Sequence, residues 1–416
     1  MKFGGALLNS ASNIERVAGL VEEFSCEPLV VVISALGKTT NALEHLFSLS
    51  QKRSNMDIDF FKIKQYHLSA AQNIMPNLPN ELSRRLDKLF DELWDSLNTE
   101  YPSKYEAYDS IISIGEDLSS CIFYHYLKSL GHSVRLINAK TLIVTDDNYT
   151  NASVNWEYTT KTIIARILPA IDNHEIVITQ GFTGADEFGN STTLGREGSD
   201  FTAAIIGNIL DADEVTIWKN VPGLMNADPA KFPDAVKLKG LSYHEATELA
   251  YYGASVIHPK TIQPLKQKNI PLFVRAYYDS SIPPTAITND ASKDGILPSI
   301  IVKDNQILLS ISTLNLSFIA EENLKNIFDA FSKNKIHINL MQNSAVSFSV
   351  CFDEDFSKLD ALITELKSDF NLRYNTNLQL ITVRHYNDNI VNNLIAGNKV
   401  YLFQKSRVNV QFLVKQ

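Results

Sequence analysis

Cysteine is scarce: 3 residues in 416, at Cys26, Cys121 and Cys351, with no Cys-x-x-Cys pair among them. That count and spacing offer neither a disulfide framework nor a zinc site, and they point to a reducing compartment, the cytoplasm. Long hydrophobic runs are also missing. The longest near-continuous one, Leu29 to Ile33, falls far short of the ~20 apolar residues that cross a bilayer. A basic excess is absent too, the formal net charge being −9. Such a field opposes nucleic-acid phosphates, although an anionic small molecule stays compatible wherever cations gather locally. The opening Met1-Lys2-Phe3-Gly4 carries no basic-then-apolar leader. Nowhere do His, Cys, Asp and Glu fall at the spacing of a protein-held metal site, so none is expected.

What is present implies packed domains. With 44% hydrophobic and 20% charged residues the chain can bury sizeable cores, and its length predicts two or three domains at roughly 150 residues each. From the start to about residue 290, β-rich apolar runs alternate with stretches of helical period, the pattern of a mainly parallel sheet sandwiched by helices. Leu29 to Ile33, Val134 to Ile137 and Ile176 to Thr179 are the clearest strands. Each runs into a polar or glycine-bearing loop, where open α/β sheets bind ligands. Between about 41 and 105 a charged stretch with apolar residues at helical spacing (Phe60, Ile63, Leu68, then Leu82, Leu86, Phe90, Leu93) reads as a helical lid or insertion. Ser242 and Glu245 have capping-box spacing, and Gly253 is placed to end that helix.

After a Ser-, Pro- and Asp-rich linker, 280–298, the pattern changes to short β-α-β-β blocks. Strands at 307–311, 336–340 and 345–352 accompany a helix at 322–333. A shorter version follows, with strands at 378–385, 400–404 and 408–414 and a helix at 389–396. Two small α+β domains are therefore expected, at 299–372 and 373–416.

Several segments could carry chemistry. Lys2 stands just before Gly4 and Gly5, which let backbone amides approach an anion closely; a tight structural turn explains the same residues equally well. A stronger signal is Thr193 to Asp200 ahead of the helix Phe201 to Ile206. Here Arg196, suited to bidentate carboxylate or phosphate contacts, sits on a glycine-flexed loop at a helix N-terminus. The plain alternative is a helix capped by Ser199 or Asp200 with Arg196 solvated. Glu116 and Asp117 follow an expected strand, and Glu116 could take a substrate ammonium, yet acidic residues open many helices for dipole reasons alone. His258 before Pro259 reads as a packed turn histidine.

Taken together, these segments resemble the aspartate kinases of the amino acid kinase family, over nearly the whole chain. The resemblance rests on Lys2 to Gly5, Val31 to Asn41, Ser113 to Ser119, Gln180 to Gly184 and Leu194 to Asp200. Val221-Pro222-Gly223, Ala227-Asp228-Pro229, Glu245 to Lys260 and Asn269-Ile270-Pro271 extend it. Many matches in order are far more specific than any single one. The resemblance implies an amino acid kinase domain over 1–290 and a tandem pair of ferredoxin-like ACT modules behind it. It implies transfer of the ATP γ-phosphoryl group to the β-carboxylate of L-aspartate, the first step of lysine, threonine and methionine biosynthesis, with Mg²⁺ held mainly by ATP.

Residue by residue, the resemblance implies that Lys2 bridges the phosphates and Asp200 orients it. Arg196 would clamp the substrate α-carboxylate, Glu116 its ammonium, and Ser34, Thr40, Phe182 and Ser199 would complete the aspartate pocket. Nucleotide contacts would come from Lys2, Phe3, Gly4, Gly5, Lys219, Asn220, Met225, Lys231, Ser255 and Val256. Lysine or threonine would bind near the Met341-Gln342-Asn343-Ser344 loop, and pairing of the ACT modules would make a homodimer or larger. This chain departs from the family at Ala6-Leu7, where Thr-Ser is frequent, and at Glu197, a frequent Gly. Further departures are Asn220, Met225, Ala230 and Ser255, on the nucleotide side. The first strand also reads short, with only Met1 before Lys2. Those departures motivate a second reading, a catalytically degenerate amino-acid-binding regulator of the same fold. A kinase for another acidic amino acid is a third.

Overall fold

The computed structural model describes residues 1–254, 257–315 and 317–415 and divides the chain into two compact units. The first comprises Met1–Leu224, Lys237–Ala250 and Ser255–Asp294; the second comprises Met225–Val236, Tyr251–Ala254 and Gly295–Gln416. The second unit thus takes two short segments from within the first 290 residues, as well as everything beyond the linker.

The first unit runs β1 (Lys2–Phe3), α1 (Ala11–Glu23), β2 (Val30–Ile33), α2 (Thr39–Gln51), α3 (Asp57–Ile74), α4 (Asn80–Asn98), α5 (Lys104–Ile112) and α6 (Ile114–Ser129). It continues with β3 (Val134–Leu136), α7 (Trp156–Asp172), β4 (Ile176–Gln180), β5 (Thr183–Ala185), β6 (Ser191–Thr193), α8 (Gly198–Ile209) and β7 (Val215–Lys219). Then come β8 (Gly240–Ser242), α9 (Tyr243–Tyr252), whose last two residues belong to the second unit, α10 (Pro259–Lys268), β9 (Leu272–Ala276) and β10 (Thr285–Thr288). Eight strands form one sheet in the order β3-β4-β2-β1-β7-β9-β10-β8. β10 and β8 pair in parallel with each other, and β10 runs antiparallel to β9, whereas the pairings from β3 to β9 are parallel. The central strands are mostly buried and β2 is apolar throughout, as expected where both faces of a sheet are covered.

The helical stretch after residue 41 is an insertion and not a separate lid. Leu82, Leu86, Leu89, Phe90 and Leu93 of α4 are buried in the same core as Phe3 and Ile33. Their i, i+3, i+4, i+7 spacing gives one apolar face, which removes itself from water against α2, α5 and α6. The strand expected before Glu116 is helix instead: α5 ends at Ile112 and α6 begins at Ile114. The apolar run Ile111-Ile112 suits a strand locally, but α5 packs beside α2, α4 and β6, and tertiary burial overrides local preference. Ser242 caps α9 by accepting from the Glu245 amide at 3.0 Å, and Gly253 follows with φ +109.

The second unit is built on a six-stranded antiparallel sheet ordered β12-β13-β11-β14-β16-β15. Its elements are β11 (Ser299–Thr313), α11 (Glu321–Lys333), β12 (Ile338–Asn343), β13 (Ser347–Asp353), α12 (Phe356–Leu366), β14 (Phe370–Arg384), α13 (Asp388–Ile395), β15 (Lys399–Lys405) and β16 (Asn409–Lys415). β11 and β14 are each 15 residues long and run through both α+β modules. Their distal halves, from Ser310↔Arg373 to Thr313↔Phe370, lie in the module with β12 and β13; their other halves, from Ser299↔Arg384 to Lys303↔Leu380, lie in the module with β15 and β16. A cut after residue 372 falls inside β14. α12 was not foreseen from the sequence; its Leu359, Leu362 and Leu366 join Ile307, Phe331 and Phe352 in one core.

Candidate active site

The carboxyl ends of β1, β2, β4 and β7 converge, as the parallel order requires, and every one of them delivers a polar group. Lys2 on β1 is buried at 7% exposure, with its ammonium 2.7 Å from Asp200 Oδ1. Asp200 lies in the first turn of α8, fully buried, where the helix dipole favours an anion. Its Oδ2 is 3.3 Å from the Lys219 ammonium at the end of β7. One buried carboxylate therefore stands between two cations. Burial pushes the Asp200 carboxyl up, but Lys2 and Lys219 outweigh it and hold the pKa below its ordinary value. Burial likewise pulls the Lys2 ammonium down, yet Asp200, with help from Glu116 and Glu197, leaves it raised and firmly charged.

Glu116 opens α6 and is also buried. Its Oε1 accepts from the Ser199 hydroxyl at 3.1 Å, while Oε2 has no hydrogen-bond partner among the described residues. Burial pushes its pKa up to about 8, against the opposing pull of Lys2, Ser199 and the amides of Ala35 and Gly181. A half-satisfied buried carboxylate is costly alone and becomes favourable when a cation arrives.

Lys2, Glu116 and Ser199 border a cavity of about 630 Å³ within the first unit, of the size of small-molecule sites. Lys2, Gly5, Ser34, Thr40, Glu116, Phe182, Arg196 and Ser199, drawn from five separate stretches of sequence, all line it. Arg196 is exposed on its rim, with no ion pair or hydrogen bond to any described residue. Gly5 must be glycine, because a Cβ there would stand 2.3 Å from the Ala35 carbonyl oxygen. The same holds for Gly181, where a Cβ would lie 2.4 Å from that of Ser199. Neither Ser199 nor Asp200 caps α8; the residue before the helix, Glu197, stands at the N-cap position in the left-handed region at φ +55 and makes no capping bond with its side chain. That conformation explains why glycine suits this position and costs a non-glycine residue about 1–2 kcal/mol.

Other expected site residues are not among those lining this cavity. Phe3 is wholly buried and stacks on Trp218 at 5.9 Å, so its side chain belongs to the core and faces no ligand. A Cβ on Gly4 would lie 3.5 Å from the Lys2 ammonium. Asn220 is exposed just after β7. Met225 and Lys231 fall in the second unit, where Lys231 is ion-paired with Asp304. Ser255 and Val256 lie outside the described residues. Met341, Gln342 and Asn343 belong not to a loop but to β12, an edge strand with an open side, and only Ser344 turns out of it, held by Ser347. His258 caps α10 by accepting from the Lys260 amide at 3.2 Å, the packed-turn role its sequence suggests.

Comparison with known proteins accounts for this arrangement. The model of the amino acid kinase family matches residues 1–276. Aspartokinase 2, chloroplastic, of Arabidopsis thaliana is 30% identical over 99% of this chain and 78% of its own length. The chain belongs to the aspartokinases of the amino acid kinase family. Aspartokinase 1, chloroplastic, from the same plant is 33% identical over 85% of this chain, which spans 63% of that protein. Escherichia coli aspartokinase III, solved with aspartate and ADP, shares the fold along 100% of this chain and 95% of its own, with a TM-score of 0.83 at 24% identity. Its structure with lysine and aspartate superposes with a TM-score of 0.82 at the same identity. The fold of an aspartokinase thus extends through the second unit, including the two α+β modules that share β11 and β14.

Proposed function

We propose that this aspartokinase transfers the γ-phosphoryl group of ATP to the β-carboxylate of L-aspartate, releasing ADP and 4-phospho-L-aspartate. The observation that carries the reading is the Lys2 ammonium, paired with the buried Asp200 that also meets Lys219, lining the same cavity as Glu116 and Arg196. A β-carboxylate with a pKa near 3.9 is ionised at neutral pH and needs no general base. Catalysis then reduces to bringing an anion against a polyanion, that is, to positioning and charge neutralisation. Lys2, held in place and kept charged by Asp200, stabilises the charge on the transferred phosphoryl group. Glu116 takes the substrate ammonium with its free Oε2, Arg196 clamps the α-carboxylate, and Ser34, Thr40, Phe182 and Ser199 wall the pocket.

Among the described residues no three His, Cys, Asp or Glu side chains gather to hold a metal ion. The cavity's Lys2 and Arg196 favour phosphate oxygens. Mg²⁺ is accordingly proposed to enter with ATP, held by its phosphates and water, and to supply neutralisation there. The second unit is proposed to bind lysine or threonine at β12 near Met341–Ser344 and to shift an equilibrium between active and inhibited states, in an assembly of two or more chains. The lysine complex of the E. coli relative supports that choice of effector.

Hydroxylamine trapping tests the whole reading. Aspartate, ATP and Mg²⁺ together are expected to yield aspartyl hydroxamate, in an amount that lysine or threonine reduces. No hydroxamate from aspartate would overturn the kinase reading, and binding of lysine without any turnover would favour a regulator that has lost catalysis. Arg196→Ala should raise the aspartate KM about ten- to hundredfold, as loss of a charged hydrogen-bonding clamp does, with kcat nearly kept. An unchanged aspartate KM would remove Arg196 from the substrate site.

A further inference from the structure

Asp109, on α5, is fully buried although nothing in the catalytic scheme uses it. Its Oδ2 accepts from the amide of Thr193 at 2.8 Å and from that of Thr150 at 2.9 Å, and its Oδ1 accepts from the Thr193 hydroxyl at 2.7 Å. Among the described residues no ion pair reaches it. A carboxylate without a cation is expensive to bury and persists only where its hydrogen bonds are needed.

The two segments it joins meet at the substrate side of the cavity. Thr193 ends β6, three residues before Arg196, and Thr150 and Thr193 both line the cavity beside Gly195 and Arg196. Thr150 holds a left-handed backbone, φ +70, which costs energy and must be fixed from outside. The Ala152 amide donates to the Thr193 carbonyl at 2.9 Å, completing the tie. Behind Gly195 there is no slack: a Cβ there would lie 2.9 Å from Asn151 Oδ1 and 3.3 Å from the Thr150 carbonyl oxygen. The base of the Arg196 loop is thus braced against the 150–152 segment, and Asp109 is the group that holds both.

We infer that Asp109 is a positioning residue for aspartate recognition, acting through Arg196 by fixing the Thr193 and Thr150 backbones; the inference rests on the aspartate reading above. Alanine removes all three bonds and leaves two backbone amides without their acceptor. Asparagine is the milder change: its amide oxygen can take the two amides and the Thr193 hydroxyl can turn to accept from its nitrogen, with only the charge lost.

The test is a double-mutant cycle in steady-state kinetics of the full chain. Asp109→Ala is expected to raise the aspartate KM about tenfold while the ATP KM stays within about twofold. In an Arg196→Ala background the same change should alter the aspartate KM by less than about twofold, because the group it acts through is gone. An unchanged aspartate KM in folded Asp109→Ala, equal increases in both backgrounds, or a parallel fall in affinity for both substrates would each overturn the inference. Should Asp109→Ala not fold, Thr193→Val, which removes only the hydroxyl bond, decides it by the same cycle with a smaller shift. Wild-type protein that makes no aspartyl hydroxamate would instead defeat the underlying aspartate reading.

Discussion

Lys2→Ala is expected to lower kcat by at least about 10²–10³-fold, the usual consequence of removing one preorganised charge stabiliser from a phosphoryl-transfer site. Stability should fall as well. Asp200 has no exposed side-chain surface, and without Lys2 it keeps only the more distant Lys219 at 3.3 Å. Removing one partner of a buried pair costs about 3–5 kcal/mol, and the surviving cation places this case toward the lower end. Full burial of Asp200 is what makes this a loss of stability as well as of catalysis. Pairing Lys2→Met with Asp200→Asn separates the two effects, since it removes both charges. Denaturant unfolding of the double variant should recover most of the lost stability while hydroxamate formation stays absent. A Lys2→Ala protein with wild-type kcat would show that the ammonium does not meet the phosphates.

Glu116 yields the second large effect, through pH. With its pKa pushed up to about 8, the free protein holds Glu116 mostly neutral at pH 7. Taking the substrate ammonium requires the carboxylate, so binding must expel a proton below pH 8. The competent fraction falls about tenfold for each pH unit below that pKa, and the apparent affinity falls with it. The aspartate KM is therefore expected to drop steeply as pH rises from 6 toward 8 and to level off above. His258 titrates below its ordinary 6.5, lowered chiefly by burial and by Lys260, so it is not the source of a change between pH 7 and 8. Glu116→Gln should flatten this profile and raise the KM at pH 8 about ten- to hundredfold, the worth of a charge-assisted bond. A wild-type KM that is flat from pH 6 to 8 would mean that Glu116 does not meet the ammonium in its charged form.

How legible each feature was in the sequence follows from the range of the interactions that fix it. Short-range signals were readable: the strand at Val30–Ile33 and the cap formed by Ser242 both depend on a few neighbouring residues. The motif segments could be quoted in order, and the structure gathers Lys2, Ser34, Thr40, Glu116, Phe182, Arg196 and Ser199 around one cavity. Features set by distant partners were read wrongly or missed. Ile111-Ile112 looked like strand because its helical packing lies against residues far along the chain. Phe3 adjoined a glycine motif but is drawn into the core by Trp218.

By itself, the sequence determined the alternating α/β pattern, the change to small α+β modules after residue 298 and the family-like segments, because periodicity and turn chemistry are local properties of the chain. Only the tertiary structure decided that β11 and β14 serve both modules at once, and that Met341 to Asn343 lie in an edge strand. It alone set a charge pair and a braced loop around the cavity. Asp109 offered no signal in its neighbourhood, since its partners at 150 and 193 come near only when the chain has folded. Strand register, burial and the pKa values that follow from burial are properties of groups brought together across long sequence separations, and no local pattern encodes them.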